Sequence, residues 1–141
     1  MSLRFHLPEQ KRLVHELTID VRWGDMDAMG HVNNTIYLRY FEMVRIDWLK
    51  NSGGVFDENG CGPVIVNAFL NFIRPVEFPG QLLARHFVGQ AGRTSVDTYL
   101  TLERTDQPGV VYAEGGARLV WNDFKAGKAV PLPDWLRSQV E

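Results

Sequence analysis

An α+β fold, with an antiparallel sheet wrapped around one long helix, is what this sequence predicts, and three patterns predict it. At Thr35 the apolar period changes from two to that of a helix, so a strand gives way to a helix. That helix carries apolar residues around most of its circumference, which suits a buried element better than a surface one. Four β-rich runs then follow with no second long helix among them, and strands in direct succession favour antiparallel pairing.

Taken in order, residues 1–10 read as irregular, because Pro8 argues against an early helix. Leu17, Ile19, Val21 and Trp23 alternate with Thr18, Asp20 and Arg22, which predicts a half-buried strand over 17–23. Residues 24–34 are too polar and too punctuated by glycine for either regular element and read as a loop. Tyr37, Phe41, Val44 and Trp48 then share one helical face, and Ile36, Tyr40 and Met43 widen it until little is left for solvent. Asn33 or Asn34 caps the first turn, and Asn51, Ser52, Gly53 and Gly54 close the last. Residues 55–63 read as a connection. Strands are predicted at 64–73, 82–90, 96–102 and 110–121, with a break over 74–80 and turns at 90–93 and 106–109. Residues 125–133 read as a loop, and Asp134 to Arg137 begin a short terminal helix. The total is about five strands and one long central helix, in a single domain over 1–141.

A chain of 141 residues, 45% hydrophobic and 23% charged, is ordinary for a globular domain with a real core. Its formal net charge of −2 gives no electrostatic reason to expect a nucleic-acid partner. Cys61 is the only cysteine, so an internal disulfide and a thiolate metal cluster within one chain are both excluded. The first twenty residues hold no uninterrupted apolar run of the secretory kind. The longest apolar stretch, 64–73, is interrupted by Asn67 and Asn71 and is too short to span a bilayer. A cytoplasmic protein is therefore expected. His6, His15, His31 and His86 never fall at helical ligand spacing, and neither a phosphate-binding glycine loop nor a G-x-S-x-G motif is present.

Chemistry concentrates between Arg22 and Asn34, where two carboxylates, a histidine and two asparagines meet a strand-to-helix junction. A carboxylate such as Asp27, partly desolvated beside an apolar helix, is a better base or nucleophile than a solvated one, although an Asx-turn role suits the same position. Asp25 reads as its structural or supporting neighbour. His31 has an imidazole that titrates in the working range, or it simply fixes the loop. Asn33 and Asn34 stand where the unsatisfied amides and positive dipole end of a helix favour an anion, and a plain N-cap is compatible with that. Gly92, Arg93, Thr94 and Ser95 offer a guanidinium and hydroxyls suited to phosphate, or form an ordinary surface hairpin.

The run from Asp25 to Tyr37 resembles D-x-D-x-x-G-H-V-N-N-x-x-Y, the signature of the 4-hydroxybenzoyl-CoA thioesterase-like branch of the hotdog-fold proteins. Residues 73–81 are similar to the second landmark of that family, aromatic-x-x-P-x-x-x-G-D/E, with Ile73, Arg74 and Gln81 departing from it. The resemblance implies the hotdog architecture and an acyl-CoA thioesterase that converts a fatty or aryl acyl-CoA to the free acid and CoA without a cofactor. It implies Asp27 as the catalytic carboxylate, the Asn34 N–H as the group that polarises the thioester carbonyl, and His31 beside the nucleophilic water or the leaving thiolate. Tyr37 belongs to the helical part of the motif and is expected at the substrate. Arg93, Thr94 and Ser95 are expected near the nucleotide end of CoA. Tyr40 and Glu42 match the same helix, and core packing and helix-surface roles explain them nearly as well.

An obligate homodimer, and a homotetramer built as a dimer of dimers, follow from the same resemblance. Plant acyl-carrier-protein thioesterases carry a similar D-x-N-x-H-V-N-N run, but Met29 stands where they have a catalytic asparagine. An acyl-carrier-protein thioesterase and a non-catalytic acyl-CoA-binding protein are the alternatives. A hydratase is disfavoured because no second Asp/His motif of that type is present.

Overall fold

The computed structural model describes residues 3–53 and 58–141, so Met1, Ser2, Gly54 and the first part of the predicted connection, 55–57, lie outside the described residues. Strand β1 (Arg12–Asp20) leads to helix α1 (Asn34–Asn51), and strands β2 (Cys61–Phe72), β3 (Gln81–Ala91), β4 (Ser95–Arg104) and β5 (Val111–Asp123) follow. A two-residue strand β6 (Lys128–Ala129) and a short helix α2 (Asp134–Val140) complete the chain. All pairings are antiparallel, in the order β1-β3-β4-β5-β2, with β6 added to β5. The expected sheet of five long strands around one long helix is therefore the observed architecture.

Alternation produces the concave face. Leu82, Ala84, His86 and Val88 of β3 and Val96, Thr98, Leu100 and Leu102 of β4 are buried at every second position. Helix α1 lies in that concavity with Tyr37, Tyr40, Phe41, Val44, Trp48 and Leu49 buried. One apolar cluster gathers around the start of the helix, including Ile19, Val32, Tyr37, Phe41 and Leu100. A second gathers at its end, including Trp48, Leu49, Val88, Trp121 and Leu136. The helix sits close to the sheet because Gly115 has no side chain. A Cβ there would lie 2.6 Å from Phe41 Cε2 and 2.4 Å from the Phe69 carbonyl oxygen.

Several predicted boundaries move. The first strand covers 12–20 instead of 17–23, because pairing with β3 runs from Arg12 opposite Val88 to Asp20 opposite Gln81. Val21 is still buried, but Trp23 starts a single 3₁₀ turn (Trp23–Asp25) and is 77% exposed. Alternation continued past the last residue with a cross-strand partner. The helix is less enclosed than its circumference suggests, with Leu38 and Met43 at 47% and 40% exposure. Strand β2 starts at Cys61, inside the predicted connection, and the predicted loop over 125–133 contains β6. Among the described residues, no helix is long and apolar enough to cross a membrane.

Candidate active site

After Asp20 the chain must travel from the sheet to the start of α1, and it does so through a tight hairpin. Val21 N–H donates to the Gly80 carbonyl at 2.8 Å, which ends the strand against the β2–β3 connection. Met26 then bridges Val32, Asp27 N–H donates to His31 O at 2.7 Å, and Asn33 N–H donates to Asp25 O at 2.9 Å. Gly30 closes the turn with its N–H on Asp27 O at 3.1 Å and a φ of 77°, a left-handed conformation that glycine adopts without strain. Val32 N–H, on Val76 O at 2.8 Å, pins the hairpin to the β2–β3 connection.

Asp27 is the hub of this hairpin. Its Oδ1 accepts from Met29 N–H at 2.8 Å and from His31 N–H at 3.1 Å. Its Oδ2 has no partner among the described residues, and the side chain borders a cleft of about 210 Å³. Thus one oxygen of Asp27 forms the turn and the other takes no part in it.

Helix α1 supplies the second component. Asn33 is the N-cap, and its Oδ1 accepts from both the N–H and the hydroxyl of Thr35 at 2.9 Å. Ile36 N–H turns back to Asn33 O at 2.9 Å. The Asn34 N–H, first of the helix, is left without an acceptor among the described residues, at the positive end of the helix and on the same cleft as Asp27.

Tyr37 forms part of the cleft floor. Burial raises its phenol above the ordinary tyrosine range; the Val76 backbone opposes this and the charge of Asp27 adds to it, so the hydroxyl keeps its proton. Its ring meets Phe72 edge-on at 5.1 Å. The facing wall is formed by residues 72–75, which leave β2 with Ile73 and Arg74 N–H both donating to Tyr112 O at 3.0 and 2.9 Å. His31 lines the cleft half-exposed, with Nε2 3.6 Å from Glu77 Oε1, too long for a hydrogen bond. Asp25 does not border the cleft and acts as a strut, its Oδ2 accepting from Arg22 N–H at 3.0 Å and Tyr40 Oη at 2.6 Å. A larger cleft of about 710 Å³, bordered by Lys11, Gln90 and Tyr99, holds none of the motif residues, so chemistry and not size marks the site. Among the described residues, no cluster of His, Cys, Asp and Glu is placed to hold a metal ion.

The model of the thioesterase-like superfamily matches residues 21–140. The long-chain acyl-CoA thioesterase FadM of Escherichia coli is 32% identical over 127 residues, which cover 87% of this chain and 94% of that protein. The chain belongs to the thioesterase-like superfamily. The chloroplastic acyl-acyl carrier protein thioesterase ATL3 of Arabidopsis thaliana is 27% identical over 130 residues, 89% of this chain and 66% of that one. Among solved structures, the PA2801 protein of Pseudomonas aeruginosa superposes with a TM-score of 0.86 at 33% identity, covering 92% of this chain and 100% of that one. As a member of this superfamily the protein is a thioester hydrolase with the hotdog fold that its motif implied.

In this thioesterase, Asp27, His31, Asn34 and Tyr37 come together on one cleft, whereas Arg93, Thr94 and Ser95 do not join them. That turn joins β3 to β4 at the end of the ladder remote from Gln81, roughly 30 Å away at the rise of a strand. The turn is anchored by the neighbouring strand β5 and by the C-terminal segment. Arg93 O accepts from Leu132 N–H at 3.0 Å, Thr94 O from Trp121 N–H at 2.9 Å, and Arg137 donates to Gly92 O and Arg93 O. Met29 is 79% exposed, and Glu42 is exposed on the outer side of α1; neither borders the cleft. The wall at 72–75 and the position of Glu77 opposite His31 were missed. The signal for them was the Pro-containing stretch 73–81, read as a break and a landmark and not as part of the site.

Proposed function

We propose that this thioesterase hydrolyses a fatty or aryl acyl-CoA, with Asp27 as base or nucleophile. The observation that carries the reading is that one cleft is bordered both by Asp27, which has one carboxylate oxygen without a partner among the described residues, and by Asn34, whose amide opens α1. A thioester carbonyl over the Asn34 N–H has the positive helix end beneath its oxygen, which stabilises the negative charge that develops during attack. Asp27 Oδ2 either removes a proton from the attacking water or adds to the carbonyl carbon itself, forming an anhydride that water then opens. Collapse breaks the carbon–sulfur bond, and the thiolate takes its proton from His31 or from water. No cofactor enters either route.

CoA release from short, long and aromatic acyl-CoAs tests this, comparing wild type with Asp27→Asn. The amide variant keeps an oxygen for Met29 and His31 N–H, so the hairpin is retained while the base is lost, and turnover should fall by about 10²- to 10⁴-fold. Equal turnover would remove Asp27 from the mechanism. Binding without release would leave an acyl-CoA-binding protein.

Acyl-carrier-protein thioesters are the second reading. ATL3 and the His31-Val32-Asn33-Asn34 run favour it, and relative rates on the two carriers decide. A homodimer, assembled further as a homotetramer, is part of the proposal. Strand β2 lies at the sheet edge with Val66 and Phe72 about half exposed, which suits pairing with a second copy. In such an assembly Arg93, Thr94 and Ser95 serve the nucleotide of a substrate held by a neighbouring copy. A cytoplasmic location belongs to the same reading, supported by a sequence with a single cysteine.

A further inference from the structure

Between β3 and β4, every carbonyl of the turn 92–95 is taken. Arg137 Nη2 donates to Gly92 O at 2.8 Å and to Arg93 O at 2.7 Å. Leu132 N–H adds a second bond to Arg93 O at 3.0 Å, Trp121 N–H holds Thr94 O at 2.9 Å, and Gly92 N–H holds Ser95 O at 2.8 Å. The N–H groups of Arg93 and Thr94, by contrast, have no acceptor among the described residues. The Arg93 guanidinium and the Thr94 and Ser95 hydroxyls make no hydrogen bond there either. What the turn leaves over is mainly donors, and successive free amides are what backbone anion sites are made of.

Two of the carbonyls decide where those amides point. In a planar trans peptide the C=O and the N–H that follows it lie in opposite directions. Gly92 C=O shares its plane with Arg93 N–H, and Arg93 C=O shares its plane with Thr94 N–H. One guanidinium, by holding both carbonyls, therefore aims both free amides away from itself. A charged donor on each carbonyl also polarises the peptide unit, which strengthens the N–H at its other end.

Arg137 is itself held in place. Leu136 and Val140 bury one side of α2 in the second apolar cluster. Arg137 Nη1 donates to Glu141 Oε1 at 2.9 Å, and from β1 the Arg12 guanidinium donates to the carbonyls of Gln139 and Glu141.

We infer that Arg137 is a positioning residue: the C-terminal helix grips the turn from behind, so that the Arg93 and Thr94 amides stand preset for a phosphate of the substrate's nucleotide. This rests on the reading above in which the turn serves that nucleotide. A turn already fixed in its binding form loses less freedom when the ligand arrives, so the grip acts on affinity and not on the chemical step.

Thiol release from one acyl group carried on CoA and on pantetheine, which lacks the nucleotide, tests the inference. For Arg137→Met, KM for acyl-CoA should rise about 3- to 10-fold, the scale of a lost hydrogen bond, with kcat unchanged and both constants unchanged on acyl-pantetheine. Arg137→Lys should recover part of the affinity. A merely structural role would lower kcat on both esters alike; that result, or no change on either, would overturn the inference. Should the methionine variant not fold, the lysine variant decides by the same measurement, and an unchanged KM for acyl-CoA overturns the inference.

Arg93→Gln separates the inference from the reading beneath it. If Arg93→Gln raises KM for acyl-CoA and Arg137→Met does not, the turn meets the nucleotide and the positioning role is wrong. If neither raises it, both fall. If both do, the double variant should show less than the product of the two effects, because Arg137 works through the turn, and a full product would overturn the inference. If wild type releases thiol from neither ester, the thioesterase reading fails, and calorimetric binding of CoA takes the place of KM: weaker binding by Arg137→Met supports the positioning role and equal binding overturns it.

Discussion

Tyr40 Oη donates to Asp25 Oδ2 at 2.6 Å, and this one bond ties the second turn of α1 to the loop that carries Asp27. Asp25 also takes the Arg22 N–H, so a single carboxylate joins the end of the strand segment, the 3₁₀ turn and the helix. Burial first, and the Asp25 hydrogen bond second, raise the Tyr40 phenol above its usual range. It therefore remains a donor under alkaline conditions that ionise an ordinary tyrosine.

Tyr40→Phe should cost about 1.5–3 kcal/mol, the scale of a hydrogen bond to a charged group. It should lower kcat as well, because the Asp27 hairpin loses its brace to the helix. Urea unfolding and steady-state kinetics measure the two effects. A stable variant with unchanged kcat would show that the hairpin holds its geometry without Tyr40.

His86 makes stability depend on pH. It is fully buried beneath α1, its ring 4.7 Å from that of Trp48, and both ring nitrogens lack hydrogen-bond partners among the described residues. Desolvation, then the charges of Arg45 and His15, pull its pKa down to about 3 from an ordinary 6.5. Because the folded value is the lower one, the unfolded chain binds the proton first as pH falls. This contribution is fully present above about pH 6.5 and is lost at up to about 1.4 kcal/mol per pH unit on the way towards the folded value. Between pH 7 and 5, wild type should lose about 2 kcal/mol more than His86→Leu in denaturant titrations. Parallel pH profiles would mean that another group bears the proton.

Gly115→Ala should destabilise by about 1–3 kcal/mol, because the added carbon meets the Phe69 carbonyl and the Phe41 ring at less than van der Waals separation. The backbone on β2 cannot yield as a flexible side chain would. A change below about 0.5 kcal/mol in urea unfolding would place slack between helix and sheet that the close packing of interiors does not predict.

Val66→Lys puts a charge on the exposed edge strand, at the point where the β2–β5 register shifts between Ile65 and Asn67. A dimer formed along this edge should dissociate to monomers by light scattering, since an edge lysine opposes strand addition. Retention of the assembly would move the interface to another face.

Most of the architecture is legible in the chain because it rests on local periodicity. Leu82 to Val88 and Val96 to Leu102 alternate as strands must, and Tyr37 to Trp48 repeat as a helix must. Strand ends are not local in this sense. Trp23 extends the alternation of Leu17, Ile19 and Val21, yet pairing with β3 stops at Asp20 opposite Gln81. The exposure of Leu38 and Met43 likewise depends on where the sheet stops curving around the helix and not on the helix's own composition.

The candidate active-site cleft divides along the same line. Asp27, His31, Asn34 and Tyr37 lie within eleven residues of one another, so a turn followed by a helix start brings them together from chain order alone. Their opposite wall at 72–75 and Glu77 across from His31 arrive from a connection some forty residues later. The bonds from Val32 N–H to Val76 O and from Val21 N–H to Gly80 O, with the pairing of Asp20 and Gln81, set that connection against the hairpin. Chain order brings Asp27, His31, Asn34 and Tyr37 to one cleft, because neighbours along a turn stay neighbours in space. The surfaces that face them come from the fold, because contacts between distant segments exist only once the sheet has closed.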